Sequence, residues 1–139
     1  MASSPTYPTA TGPVTIAKKI ADSDGTNIID IVDNSAGSSA VKIESLAITT
    51  TNTADRTALL YLYDGSASFL AGSRTVTQLA GTNGSTTPRV NVLAALGTAG
   101  PDGVACIWVG AGKKLQAAVD ASLASGKVMY FTGRYITYT

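Results

Sequence analysis

From residue 13 onward, apolar and polar side chains alternate in short runs separated by clusters of Gly, Asp, Asn and Ser, and no apolar stripe recurs at helical spacing. Pro13–Ile20 predicts a first strand. Thr26–Val32 predicts a second, with Ile28, Asp30 and Val32 on one face and Ile29 and Ile31 on the other. Ala40–Thr51 and Arg56–Asp64 predict two longer strands, and the short polar link Asn52–Asp55 predicts that they form an antiparallel hairpin. Phe69, Leu70 and Ser73–Leu79 predict a strand bent at Gly72. Arg89–Leu96 suits a short helix through Val90, Leu93 and Ala94, or a strand through Val90 and Val92. Val104–Val109, Lys113–Asp120 and Lys127–Tyr138 predict three more strands, with Leu115, Ala117 and Val119 inward. Asp120–Gly126 reads as one helical turn, opened by an acidic cap and closed by glycine.

The sum is about eight short strands, the pattern of an all-β, antiparallel, jelly-roll-like β-sandwich. It forms a single domain over residues 13–139. Residues 1–12 precede it as an extended N-terminal arm in which Pro5, Tyr7 and Pro8 favour polyproline geometry and are the candidate partner-binding residues.

Several strands are apolar on both faces, where a sandwich strand needs only one dry face. Leu59, Tyr61 and Tyr63 oppose Ala58, Leu60 and Leu62, and Val128 and Tyr130 oppose Met129 and Phe131. The second face needs a cover: a loop, the helical turn or another subunit. The low charge favours another subunit, so Tyr61, Tyr63 and Tyr130 are candidate oligomer-interface residues.

The chain has 139 residues, of which 45% are hydrophobic and only 14% charged, with a net charge of +1. Typical domains carry about 25% charge. No basic surplus is present to neutralise a phosphate backbone, so no nucleic-acid partner is expected. No apolar stretch approaches the ~18 residues of a membrane span, and residues 1–5 lack the features of a signal peptide. Histidine is absent, which removes His-based triads, bases and metal ligands, and the one cysteine excludes a disulfide framework. Cys106 reads as a small buried hydrophobe. No enzyme activity, cofactor or metal is expected.

The remaining motifs read as structure. Asp22–Asn27 has oxygen ligands at alternate positions, like a calcium loop, but no acidic residue closes it, and hairpin turns use the same residues. Asn83–Ser85 is a turn, and Gly110–Lys114 lacks the spacing of a phosphate loop. Glu44, Asp55, Asp64, Asp102 and Asp120 show no sign of being neighbours, as carboxylate catalysis requires. Trp108, between Ile107 and Val109, reads as core. An exposed Trp108 or tyrosine would instead suit a sugar platform.

Ala40–Leu62, with its long strand, polar link and Leu-Tyr-Leu-Tyr run, resembles small virion proteins of tailed bacteriophages. Ala111–Val128 continues the resemblance with a glycine turn, an alternating strand, an Ala-rich turn and a final apolar strand. The resemblance covers about half of the chain, from residue 40 onward, and lies in sequence style rather than in a signature motif. It implies a capsid decoration (cement) protein made in the host cytoplasm. Such a homotrimer would sit on the outer capsid surface and bridge adjacent major capsid proteins. A carbohydrate- or receptor-binding module, and a phage tail or connector component, are the alternatives.

Overall fold

The computed structural model describes residues 9–84, 86–96, 98–99 and 105–138. In chain order the strands are β1 (Ala10–Ala21), β2 (Ile29–Asn34), β3 (Val41–Thr50), β4 (Arg56–Tyr63), β5 (Ser68–Val76), β6 (Val90–Asn91), β7 (Thr98–Ala99), β8 (Ala105–Val109), β9 (Lys113–Val119) and β10 (Val128–Tyr138). A helical turn, α1 (Leu93–Leu96), lies between β6 and β7. The sequence's ambiguous segment thus contains both a strand and a helical turn, joined where the Asn91 carboxamide oxygen accepts the Leu93 N–H. β6 and β7 are two-residue pairings, which leaves eight longer strands as the pattern predicts.

Those eight strands form a nested hairpin. β1 pairs with β10, β2 with β9, β3 with β8 and β4 with β5, all antiparallel. Rolled up, the nest closes through β10–β3 and β9–β4. The result is two packed sheets, ordered β1-β10-β3-β8-β7 with β6 also on β3, and β2-β9-β4-β5. This is the jelly-roll form of the β-sandwich. Alternation supplies the core: Ile20, Ile43, Ile48, Met129 and Phe131 from one sheet meet Ile31, Leu60, Leu115, Ala117 and Val119 from the other.

The roll overturns the expected β3–β4 hairpin. Consecutive long strands switch sheets, so β3 and β4 lie in different layers, and the local hairpin is β4–β5. The Asn52–Asp55 link crosses between the sheets, held by a fully buried Asn52. Its side-chain nitrogen donates to the Ala54 carbonyl at 2.7 Å and its side-chain oxygen accepts the Ala124 N–H at 2.9 Å.

Other departures have local causes. β1 begins at Ala10, which pairs with Tyr138, so residues 10–12 of the expected arm belong to the sheet. Pro5, Tyr7 and Pro8 lie outside the described residues. In β2 a register shift between Asp30 and Val32 places both Ile31 and Val32 in the core, which breaks the expected alternation. Asp120–Gly126 is not helical. Asp120 exchanges two bonds with Thr57, N–H to carbonyl at 3.1 Å and carboxylate to N–H at 2.9 Å, which extend the β4–β9 ladder instead of capping a helix. The predicted bend at Gly72 is present: the β4–β5 register skips Ala71, and a Cβ on Gly72 would run into Leu96 of α1.

A second glycine is more restrictive. A Cβ on Gly133, in the middle of β10, would strike the Ser45 carbonyl and the Leu46 backbone of β3, which cannot move without unpairing the strands. Gly133→Ala should therefore cost about 3 kcal/mol, the upper end for overpacking. Urea unfolding would show this as a lower midpoint, whereas an unchanged midpoint would mean that the strands separate freely.

Candidate functional site

Two surface features stand out, and both involve the β4–β5 hairpin. The first is the outer face of the four-stranded sheet. Registration places Leu59 beside Ala118, Tyr61 between Leu70 and Gln116, and Tyr63 between Ser68 and Lys114. Leu70 is 59% exposed, and Leu59, Tyr61 and Tyr63 are half-buried. A polar row crosses this apolar face from edge to edge. The Ser68 hydroxyl bonds the Gln116 side-chain oxygen at 2.6 Å, and the Gln116 amide donates to Asp30 at 2.8 Å. Lys114 donates to the other Asp30 oxygen at 2.9 Å and lies 5.4 Å from the centre of the Tyr63 ring. Gln116 is only 8% exposed although it points outward, because both ends of its amide are engaged.

The second feature is a cleft of about 370 Å³ at the end of the sandwich where the β4–β5 turn meets the β8–β9 turn. Leu62, Tyr63, Phe69 and Trp108 line it together with Asp64 and Lys113. Trp108 corrects the sequence reading: it is 51% exposed. Its neighbours Ile107 and Val109 take the inward positions of β8, so alternation sends the indole out beside Lys42, where it packs on Tyr138 with ring centres 5.4 Å apart. The turns that frame the cleft are fixed. The Asp64 carboxylate accepts the Ser66 and Ala67 N–H groups, and the buried Asn34 amide donates to the Val109 and Gly110 carbonyls.

Of the candidate interface residues, Tyr61 and Tyr63 share the outer face of the four-stranded sheet. Tyr130 does not join them: it stands on the outer face of the other sheet, registered between Lys19 and Thr49. The sequence does not reveal that Trp108 shares a cleft with Phe69. Phase was the available signal for Trp108, since apolar residues on both sides of a strand residue place it opposite them. The polar row was also missed, although Lys114 and Gln116 hold the outward phase of β9.

Asp24 accepts the Ala21 N–H within its own turn, the role its sequence context suggests, whereas Asp22 accepts the Gly126 N–H and Asp55 the Gln78 N–H, which tie segments distant in the chain. Glu44 sits at a register shift of β3 and pairs with Arg134 at 3.4 Å. Asn83 bonds Thr87 within its loop, the Gly110–Lys113 segment is the turn into β9, and Cys106 is buried. Among the described residues no helix is long and apolar enough to cross a membrane.

No family model matches this chain, and no curated protein matches it.

The polar row also sets an acid response. The Gln116 hydrogen bond, followed by that from Lys114, holds the Asp30 carboxyl below its ordinary range. A depressed carboxylate contributes stability above its ordinary value of about 3.9, and this is lost as pH falls through the lower folded value. Asp30→Asn should lower stability at neutral pH and make the decline below about pH 4 shallower. Asp33 and Asp64, lowered by their own turn hydrogen bonds, would retain part of the slope. Urea midpoints across pH 2–7 test this, and an unchanged acid slope would show that the row does not couple to protonation.

Proposed function

We propose that this chain is a non-enzymatic structural subunit of a tailed-phage virion. As a homotrimer it binds the outer capsid surface and stabilises it by bridging adjacent major capsid proteins. The observation that carries this reading is the apolar outer face of β4 and β5, where Leu70 is exposed and Leu59, Tyr61 and Tyr63 are half-buried. Leu59, Tyr61, Tyr63 and Leu70 give it aromatic and aliphatic anchors, and the Asp30–Gln116–Ser68 row supplies oriented polar groups between them. Aromatic and aliphatic anchors beside oriented hydrogen-bonding groups suit a protein contact. The resemblance of Ala40–Leu62 and Ala111–Val128 to small virion proteins supplies the partner class. Jelly rolls serve viral capsids and lectins alike, so the fold alone does not choose.

A head-to-tail assembly joins two unlike surfaces, and the chain has unlike apolar groups on its two outer faces. A Tyr61→Ser, Leu70→Asp variant alters only outward positions, so its melting temperature should stay close to that of the parent chain. Its occupancy on expanded capsids should fall by about tenfold or more, as for loss of buried interface anchors. Cosedimentation reads this directly, and equal occupancy of both proteins would overturn the assignment of this face.

The exposure of Trp108 favours one second reading, a carbohydrate- or receptor-binding module using the Trp108–Phe69 cleft. Titration of Trp108 emission with a panel of oligosaccharides decides it: a saturable shift supports sugar binding, and a flat response across the panel removes it.

A further inference from the structure

The six-stranded sheet carries a cleft of its own, of about 470 Å³, lined by two arginines, Arg89 and Arg134. Register explains the rest of its lining. Ala17, Thr132 and Ala47 stand side by side on β1, β10 and β3, while their neighbours Ile16, Phe131, Leu46 and Ile48 turn into the core. One row along, Thr15, Arg134 and Ser45 stand side by side in the same way. Asn91 of β6 pairs with Ala47, which leaves Arg89 next in line towards Thr49, and a Cβ on Gly81 would press on both of those side chains.

This lining is rich in hydrogen-bond donors. Arg89 has no carboxylate partner among the described residues. Arg134 has Glu44 at 3.4 Å from its Nε, yet its side chain is 60% exposed. The Asn91 carboxamide oxygen already accepts the Leu93 N–H, so its nitrogen, a donor, is the end left for a ligand. The Thr15, Ser45 and Thr132 hydroxyls can donate as well. None of the described residues that line the cleft is acidic, and Glu44 is the sole carboxylate on the described strands of this sheet.

We infer that this cleft binds an extended, carboxylate-bearing segment of a partner protein, with Arg89 and Arg134 holding its carboxylates. Guanidinium groups meet carboxylates through paired, charge-assisted hydrogen bonds, and the exposed hydroxyls can bond the carbonyl groups of the segment. Ala17 and Ala47 leave room for a main chain to lie against the sheet. The volume is within the range of about 300–1,000 Å³ for ligand sites, which suits a few residues rather than a folded domain. Charge argues against a nucleic acid, since two arginines in a chain of net charge +1 neutralise too few phosphates. The site lies on the sheet opposite the apolar β4–β5 face and does not depend on the virion reading.

The probe is a fluorescein-labelled peptide of sequence Ala-Glu-Ala-Glu-Ala, whose two carboxylates share one face when it is extended. Anisotropy should show saturable binding to the parent chain at low salt, weakening as salt rises. Arg89→Ala and Arg134→Ala should each weaken it about tenfold, the loss of one charge-assisted pair, with circular dichroism confirming an unchanged sheet. Arg89→Lys keeps the charge and should recover part of that loss. Lys113→Ala, on the other sheet, should bind like the parent. No binding by the parent chain would overturn the inference, as would equal binding of the same peptide with Gln in place of Glu. An equal loss in Lys113→Ala would also overturn it, because the effect would then be one of net charge. Tighter binding of a labelled oligothymidylate would overturn it in favour of nucleic-acid phosphates.

Discussion

The nesting of strand pairs governs this molecule. Once the first long strand pairs with the last, the second with the next to last and so inward to β4–β5, every consecutive pair except the innermost must divide between two sheets. The Asn52–Asp55 link becomes a crossing, and a buried carboxamide is needed where backbone groups leave the ladders, since an unpaired buried polar group costs about 1–3 kcal/mol. The β4–β5 hairpin, the one local hairpin of the nest, is left projecting its tip at the end of the sandwich. Both features of the candidate site belong to that hairpin.

How much of this the sequence displays depends on the range of the interaction. Period-two alternation is local, and it reveals the eight long strands, the inward set Leu115, Ala117 and Val119, and the bend at Gly72. Pairing is not local. The polar link after β3 looks like a hairpin turn because nothing in its residues records that β10 and β8 already occupy both edges of β3. Bulges are equally silent: the shift in β2 carries Ile31 and Val32 into the core together, against the alternation on either side.

The same limit explains the site. Leu59, Tyr61 and Tyr63 are legible as a second apolar face because they alternate with Ala58 and Leu60 in a single strand. Tyr130 satisfies the same test in β10, yet the roll places it on the far side of the molecule. The apolar run around Trp108 suggests burial, although composition alone does not say which face of the strand a residue takes. The phase of Ile107 and Val109 held the correct answer, and only a cleft partner from another strand, Phe69, gives the exposed indole a use.

The chain fills the inner side of each sheet with its own residues, and the proposed function assigns the apolar outer surface of β4 and β5 to another molecule. The most direct test is the solution mass of the purified protein by multi-angle light scattering at micromolar concentration. The account predicts a closed assembly of three copies whose mass is constant with concentration. A monomer under those conditions would contradict the self-associating subunit proposed here.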